Sequence, residues 1–306
     1  MSNLNTDVVL TGREVALGRY TTVQRLLPHR ERRTVGAWCF LDHFGPQSII
    51  NLPGMQVPSH PHIGLQTVTW LVDGEIVHRD SLGSLRRIHP GQLNLMTSGR
   101  GIAHSEESPK DRPPTLHGLQ LWVALPSADR DQDARFEHFA DLPGGAYDGA
   151  QVTVVVGELA GMRAPARVHT PIIGAEILLD PGAAVRLPLD PGFEHAVVSM
   201  AGSADVNGVA LAPNALLYLE PARSELAVQA EHGAQLFLLG GEPLDEELVM
   251  WWNFVARSHD EIVAAREDWA AASARFGEVR GFAGERLPAP PLPTTRLLPR
   301  RRDGSR

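Results

Sequence analysis

The sequence has a single cysteine, Cys39, among 306 residues. One thiol cannot form an intramolecular disulfide, and a chain without disulfides is consistent with a reducing compartment. No run reaches about eighteen apolar residues, and residues 1–10 lack a cationic stretch followed by an apolar core. We therefore expect a cytoplasmic protein with no membrane-spanning segment.

The chain also lacks a P-loop, a dinucleotide-binding glycine fingerprint and a thiol nucleophile motif. Its net charge of −8 argues against nucleic acid or an anionic membrane as the main partner. An apolar content of 43% and a charged content of 21% are typical of a globular protein with an ample core. The length suggests one large domain or two ordinary ones.

Three histidines and a glutamate occur in two short motifs that predict a metal site. The tripeptide His60-Pro61-His62 is followed further along the chain by His104-Ser105-Glu106. In an extended strand residues i and i+2 share a face, so each tripeptide presents a pair of possible metal ligands. If the two strands lie side by side, all four side chains meet. Pro61 cannot donate to a ladder hydrogen bond, which predicts an edge or a barrel rim.

The intervening residues predict short strands joined by tight turns. Asp73-Gly74 is the strongest two-residue hairpin signal, and Pro90-Gly91 marks another turn. β-Branched, apolar and alternating patterns mark the strands themselves. The predicted strands cover residues 65–72, 75–78, 92–96 and 102–106.

These motifs resemble the pirin family of the cupin superfamily. The resemblance is carried by His60-Pro61-His62-x-Gly64, by the string from Met96 to Glu106 (Met-Thr-Ser-Gly-Arg-Gly-Ile-x-His-Ser-Glu) and by Asp42-His43-Phe44-Gly45-Pro46. It implies two tandem cupin-type β-barrels, a bicupin, in a mainly β chain that ends with a C-terminal α-helix. It also implies that the metal ligands are His60, His62, His104 and Glu106.

Four residues near this site, Ile63, Gln66, Asn94 and Leu95, differ from common patterns. Many cupins take a carboxylate from the fourth residue after the second histidine, and that residue here is the amide Gln66, which leaves Glu106 as the acid. The pirin motif usually has Arg where this chain has Ile63, and Gln-Trp where it has Asn94-Leu95. The last two changes remove a cation and an aromatic wall from the surroundings of the site.

Other histidines are interpreted more simply. His78, His89 and His138 are each expected to be solvated or hydrogen-bonded rather than metal ligands. His117 lies in a buried strand pattern, where a core hydrogen bond is favoured over a role in supporting a ligand.

The second half of the chain looks like a degenerate copy of the first. Strand signals restart at residue 152 and recur at spacings typical of a second barrel. Aligning the turns of the two halves places Pro188 opposite His60 and Asp190 opposite His62. The same alignment places Ala227 near His104 and Gln229 near Glu106, so the set of ligands is lost in the second half. His195 is nearby but alone. We therefore expect the second barrel to be metal-free and structural, or to contribute to an inter-barrel surface.

The predicted domains are an N-terminal barrel over residues 1–145, a C-terminal barrel over 146–250, and a helix with a Pro/Arg-rich tail over 251–306. A charged, Gly-rich loop over 127–149 separates the barrels, and a basic patch at 29–33 is expected to be a solvated turn. Ser258 and Glu261 predict a capping box, with an apolar stripe through Phe276 and a C-cap at Gly277. The tail from residue 285 is expected to be disordered or draped over the surface.

Three neutral imidazoles and one carboxylate suit Fe(II) best, with Mn, Ni, Co, Cu or Zn as compatible alternatives. The family resemblance implies a dioxygenase that uses O2 on a flavonol such as quercetin, or on a related enol or catechol, with Glu106 as the catalytic base. The alternative is a non-enzymatic, redox-sensing iron protein that binds a transcription factor or a metabolic enzyme. A third possibility is a barrel with purely structural histidines.

Overall fold

The structure is a computed structural model that describes residues 7–18 and 20–303. As the sequence predicts, it is mainly β, with two cupin barrels and one helix near the C-terminus. The strands before residue 140 are β1 (Val8–Thr11), β2 (Arg13–Leu17), β3 (Thr21–Leu27), β4 (Trp38–Ser48), β5 (Gln56–His62), β6 (Leu65–Asp73), β7 (Ile76–Asp80), β8 (Leu85–Ile88), β9 (Leu93–Thr97), β10 (Ile102–Glu107), β11 (Thr115–Ala124) and β12 (Arg135–Phe139).

The remaining elements form the second barrel and the C-terminal region. They are β13 (Gly144–Tyr147), β14 (Ala150–Leu159), β15 (Met162–Arg163), β16 (Ile172–Leu179), β17 (Ala183–Pro188), β18 (Glu194–Ala201), β19 (Ala204–Val206), β20 (Val209–Leu211), β21 (Ala215–Leu219), β22 (Glu225–Ala230), β23 (Ala234–Gly241), β24 (Val249–Trp251), β25 (Phe254–Ala256) and α1 (His259–Ala270).

The two barrels repeat one topology. The first consists of a sheet in the order β12-β9-β6-β11-β4-β3-β2 and a smaller sheet β5-β10-β7-β8. The second consists of β1-β21-β18-β23-β16-β14-β13, with β15 attached to β14, and a smaller sheet β17-β22-β19-β20. The small sheets correspond strand for strand, so the interpretation of the second half as a degenerate copy agrees with the fold.

One strand pairing joins the barrels. β1 precedes the first barrel but pairs with β21 of the second, while β12 follows β11 and pairs with β9 in the first barrel. The stretch 127–149, expected to be a loop, therefore contains one strand of each barrel, and that expectation is wrong. Chain segments cross the expected boundary at residue 145, and the domain limits themselves stay a prediction.

An apolar core fills the space between the barrels. Trp38, Trp70 and Val198 belong to one buried cluster that draws residues from both large sheets. The indole Nε1 of Trp38 lies 3.2 Å from the carbonyl of Ile173 and 3.1 Å from that of Gly240, both in the second barrel. A fully buried tryptophan thus satisfies its only donor across the interface, which fixes the barrels relative to each other.

The four strands predicted around the histidine motifs are confirmed as β6, β7, β9 and β10, with bounds that differ by one or two residues. The position of Pro61 is also confirmed, because β5 is the edge strand of its sheet. Cys39 is free and buried, and burial raises the pKa of its thiol to about 12.

Strand register corrects the comparison between the two halves. His104 pairs with His60, and Glu106 with His78, in the first small sheet. In the second small sheet, the pair Leu226–Leu187 corresponds to His104–His60, and the pair Val228–Val206 corresponds to Glu106–His78. Leu189, two residues after Leu187, then corresponds to His62. The sequence comparison was wrong by one residue, and such a shift moves every side chain to the opposite face.

The helix begins as predicted and ends earlier. Ser258 caps α1 by accepting a hydrogen bond from the amide of Glu261, but the Glu261 carboxylate accepts from the amide of Arg257, not from that of Ser258. The helix stops at Ala270, and Ala272 takes the left-handed conformation with φ of 54°. The predicted end at Gly277 is wrong, although Phe276 packs in the same cluster from the turn beyond.

The turn after α1 is a Schellman motif without glycine. The amide of Ser273 donates to the carbonyl of Asp268, and that of Ala272 donates to Trp269. The residue in the left-handed position is usually glycine, because a Cβ is strained there. Sequence signals could not mark this end of the helix, since alanine gives no indication of it.

The tail and the basic patch are both bound to the barrels. The Leu287 amide donates to the Ser59 carbonyl, and Arg300 and Leu248 exchange backbone hydrogen bonds. The tail is thus draped over the surface, with residues 304–306 outside the described residues. Arg32 is not part of a solvated turn: its guanidinium lies 3.7 Å from the centre of the Tyr218 ring and pairs with Glu220.

Replacing Ala272 with glycine should stabilise the protein. Ala272→Gly removes the strain of a Cβ in the left-handed region, so we expect the free energy of unfolding to rise by up to about 1 kcal/mol. Ala270→Gly, two residues earlier within the helix, should lower it by about 0.5–1 kcal/mol. Urea unfolding of both variants measures this, and a destabilised Ala272→Gly variant would contradict it.

A second buried contact between the barrels involves imidazoles. His43 Nε2 lies 2.8 Å from His117 Nε2, and His43 Nδ1 lies 2.7 Å from Oδ1 of Asn214 in the second barrel. Burial, together with the neighbouring His117, lowers the pKa of His43 to about 4. His117 therefore makes the core hydrogen bond that the sequence interpretation favours.

This contact predicts a loss of stability in acid. The pKa of His43 in the folded chain is below its ordinary value of 6.5, so the unfolded state takes up the proton first as the pH falls. Stability is therefore complete above about pH 6.5 and is lost progressively towards pH 4, by about 3 kcal/mol from this residue. His43→Gln should flatten the profile of unfolding free energy against pH over this range. An unchanged profile would show that His43 is not responsible.

Candidate metal centre

Two neighbouring strands bring the histidine motifs together. β5 carries His60 and His62, β10 carries His104 and Glu106, and the strands pair with His104 opposite His60. A register shift between His104 and Glu106 interrupts the ladder. The parity of the strands keeps the side chains on the inward face of the first barrel, where all four are buried.

The three imidazoles converge. Their ring centres are 4.4 to 4.9 Å apart. The Nε2 atoms of His62 and His104 are 3.1 Å apart, and each of the three rings offers a nitrogen within 4.8 Å of the other two. The exposed fraction is 6% for His60 and 1% for the other two. This spacing suits three nitrogens that share one ion.

Backbone carbonyls define which nitrogen carries the proton in two of the rings. His60 Nδ1 lies 2.8 Å from the Pro58 carbonyl, and His62 Nδ1 lies 3.0 Å from the Asn253 carbonyl. Because a carbonyl oxygen can only accept, Nδ1 carries the hydrogen in both rings. The neutral rings then have bare Nε2 atoms, the form that binds a metal.

His104 is oriented through His78. The Asp80 carboxylate accepts from His78 Nε2 at 3.0 Å, so the neutral form of His78 has a bare Nδ1. That atom lies 3.4 Å from His104 Nδ1 and can accept its hydrogen. His104 Nε2 is then bare and faces that of His62. Two lone pairs at 3.1 Å with no proton between them repel each other, and a cation placed between them relieves the repulsion.

Burial keeps the cluster neutral. It lowers the pKa of His60 to about 4 and those of His62 and His104 well below their ordinary value of 6.5. In addition, each of these imidazoles has a neighbouring imidazole whose charge would lower its pKa further. Near neutral pH the rings are therefore unprotonated, as metal coordination requires.

Glu106 lies beside His104 and His78. These three residues form a second group with ligand atoms within 4.8 Å of one another, and it overlaps the imidazole group at His104. Glu106 Oε1 lies 3.2 Å from the Thr69 hydroxyl. Burial raises the pKa of Glu106, although His78 and Thr69 oppose this shift. The assignment of Glu106 as fourth ligand and as catalytic base stays a prediction.

Sequence reasoning missed His78 and its partner Asp80. His78 is 2% exposed, and the Phe136 ring of β12 stacks on it with centres 4.3 Å apart. His89 and His138 match the simple interpretation, because they contact Glu75 and Asn94 respectively. A His-x-Asp pattern on the strand after the Asp73-Gly74 turn is the signal that could have identified the pair.

Gln66 lies away from the cluster. Its amide nitrogen donates to the Thr97 hydroxyl and to the carbonyl of Arg167, which follows β15. The position that supplies a carboxylate in many cupins thus takes part in a contact with the second barrel. Among the described residues, Glu106 is the acid that shares a candidate metal-binding group with His78 and His104.

The fold and this imidazole cluster define a bicupin, with a candidate metal site in the first barrel. The Pirin family model matches residues 20–123, and the model of the Pirin C-terminal cupin domain matches residues 174–277. The chain belongs to the pirin family.

Three relatives illustrate the range of this family. A Pseudomonas aeruginosa protein provisionally named quercetin 2,3-dioxygenase is 46% identical over 93% of this chain and 90% of its own. The crystal structure of quercetin 2,3-dioxygenase from Acinetobacter baumannii is 42% identical, covers 94% of this chain and 96% of its own, and has a TM-score of 0.92. Human pirin is 29% identical over 90% of this chain and 95% of its own.

The helical part of the fold is small. α1 has 12 residues, and no helix in the described part of the chain has the length and apolar character needed to cross a bilayer.

The Asp80–His78 pair predicts an effect on metal affinity. Asp80→Asn keeps an acceptor for the amides of Leu82 and Ser84 but removes the negative charge that orients His78. We expect affinity for Co²⁺ to fall about 10- to 100-fold, as when the carboxylate behind a ligating histidine is lost. Titration followed by visible absorbance measures this. Asp111→Asn, on an exposed carboxylate, is the matched control, and equal affinities of the two variants would contradict the role given to Asp80.

Proposed function

We propose that this protein is a metal-dependent cupin dioxygenase of the pirin type, acting with O2 on a flavonol such as quercetin or on a related enol or catechol. The observation that carries the proposal is the convergence of bare Nε2 atoms from His60, His62 and His104 in a buried, neutral pocket. Converging imidazole nitrogens are a ligand set that divalent transition metals favour.

The proposed ligands are His60, His62, His104 and Glu106. Three imidazoles and a carboxylate suit Fe(II) best among the divalent metals, and they are compatible with Mn, Ni, Co, Cu and Zn. A redox-active metal there would supply Lewis acidity and a means of reaction between an electron-rich substrate and O2. The chain supplies the orientation of the ligands and the exclusion of water.

Glu106 is the proposed catalytic base. Its carboxylate is buried, and the Thr69 hydroxyl lies 3.2 Å from Oε1. Burial raises the pKa of Glu106, so that a proton taken from an enol or phenol hydroxyl is held more readily than by an exposed carboxylate. Gln120 Oε1 lies 3.0 Å from the same hydroxyl and competes with Glu106 for its single hydrogen.

The relatives support the choice of reaction. The Acinetobacter baumannii protein, named quercetin 2,3-dioxygenase, matches nearly the whole chain at 42% identity. Ile63 and Asn94-Leu95 differ from the family motif beside the site, so the preferred flavonol is expected to differ as well. A cytoplasmic location stays a prediction.

One feature favours a second candidate function, a non-enzymatic iron protein that signals to a protein partner such as a transcription factor or a metabolic enzyme. The imidazole cluster is at most 6% exposed, and the turn at Asn253 contacts His62 directly. A change in the metal could therefore be transmitted to the β24–β25 hairpin at the surface. Human pirin, whose name does not specify an enzymatic reaction, aligns with 90% of this chain.

Metal analysis and turnover test the proposal together. Protein purified without added metal is analysed for transition metals, loaded with Fe(II), and incubated aerobically with quercetin while the absorbance of the flavonol is followed. We expect bound metal and turnover in the natural chain, and turnover at the level of buffer in His60→Ala and His104→Ala. His232→Ala, on an exposed ring, should behave like the natural chain.

Two other outcomes of this experiment would reject the dioxygenase. Bound iron without turnover on a panel of flavonols and catechols would reject the dioxygenase and support the iron-binding regulator. A chain that takes up no transition metal would reject both and leave a structural barrel.

A further inference from the structure

The mouth of the second barrel contains a cleft that the proposed function does not use. Its volume is about 570 Å³, within the range of about 300–1,000 Å³ typical of small-molecule sites. Its walls combine apolar side chains with polar groups. The residues that form them include Leu159, Val168, Ile172, Leu189 and Phe193, with His195 beside them.

The cleft borders the place that corresponds to the candidate metal site of the first barrel. Leu189 lines it and stands at the position equivalent to His62. Leu187, Leu226 and Val228, at the positions of His60, His104 and Glu106, belong to the apolar core of the second barrel. Aliphatic side chains provide no ligand atoms, so this mouth is suited to an apolar molecule rather than to an ion.

His195 is the one buried polar side chain among the walls named here. It is 1% exposed, and its Nδ1 has no hydrogen-bond partner. Burial lowers its pKa to about 4, despite the opposing charge of Asp190, so the ring is neutral near pH 7. A buried nitrogen without a partner is uncommon in folded proteins. His195 lines the cleft, so a molecule that displaces the groups covering Nδ1 would complete this hydrogen bond.

The charged groups at the rim already have partners. Arg163 forms an ion pair with Glu158 at 2.6 Å, and Asp190 Oδ1 accepts from the Gly192 amide at 2.8 Å. An anionic ligand would find no free cation among these groups, because Arg163 is already paired with Glu158. The Phe193 ring, 6.0 Å from that of His195, offers a wall for an aromatic body.

We propose that the mouth of the second barrel binds a small, uncharged aromatic molecule that carries a hydroxyl group, with the hydroxyl hydrogen-bonded to His195 and the ring against the apolar wall. The site is independent of the metal centre. It goes beyond the proposed function, since it stands whether or not the first barrel is an enzyme.

Three related probes separate the contributions to binding. 2-Naphthol has the aromatic body and the hydroxyl, naphthalene lacks the hydroxyl, and 2-naphthoate replaces it with a charge. Each is titrated into the ¹⁵N-labelled full-length chain, and binding is followed by the amide shifts of Gly161 and Ile172. To exclude the first barrel, the titrations are repeated with His60→Ala, which should leave these shifts unchanged.

We expect 2-naphthol to bind about 3- to 10-fold more tightly than naphthalene, the range of one net hydrogen bond, and 2-naphthoate to bind least. His195→Leu should reduce the affinity for 2-naphthol to that for naphthalene and leave naphthalene unaffected. Val168→Trp, which narrows the cleft without altering His195, should weaken both, and His232→Ala should change neither.

The proposal is overturned if 2-naphthol shifts no amide at the cleft, if His195→Leu binds it as tightly as the natural chain does, or if 2-naphthoate binds as well as 2-naphthol. Loss of the shifts in His60→Ala would assign the binding to the first barrel and would also overturn it. None of these results bears on metal binding or quercetin turnover, so this proposal and the proposed function fail separately.

Discussion

The candidate site depends on a set of hydrogen bonds that direct three imidazoles inwards with the same nitrogen bare. Carbonyl groups of Pro58 and Asn253 hold His60 and His62, and the Asp80–His78 pair holds His104. Since burial keeps the rings neutral, the cluster cannot relieve the repulsion between its lone pairs by taking up protons near pH 7. A cation between the Nε2 atoms of His62 and His104 would remove that repulsion, which is a physical reason to treat the mouth of the first barrel as a candidate metal site.

Part of this arrangement comes from outside the first barrel. Asn253 belongs to the turn between β24 and β25, and the Ile63 carbonyl accepts from the Val255 amide beside it. Residues of α1 pack with Ile63 and Ala103, which are the chain neighbours of His62 and His104. The tail adds a backbone hydrogen bond from Leu287 to Ser59, next to His60. The C-terminal region therefore packs against this side of the first barrel and orients His62, one of the proposed ligands.

Sequence reasoning could predict what depends on local pattern. Strand periodicity and turn residues identify β6, β7, β9 and β10, and strand parity brings His60, His62, His104 and Glu106 to one face. It could not predict His78, because its position beside Glu106 depends on the pairing of β7 with β10, which nothing near His78 in the sequence specifies. The end of α1 was missed because alanine takes the place of the usual glycine at residue 272. The equivalence between the barrels was recognised, but the alignment was wrong by one residue, since turns alone do not fix a register.

The corrected register explains how one topology can serve two purposes. In the first barrel the inward positions of the small sheet are polar, and they require neighbours such as Thr69 and Asp80 to complete their hydrogen bonds. In the second barrel Leu187, Leu226 and Val228 fill the same positions and pack into a continuous apolar core. Burying polar groups is favourable only when each has a partner, whereas aliphatic groups need none. The second barrel can therefore be stable without an ion, and through β1 and the contacts of Trp38 it provides a rigid support for the first. β12 follows β11 and pairs with β9 in the first barrel, so it is β1, paired with β21, that links the two barrels through backbone hydrogen bonds.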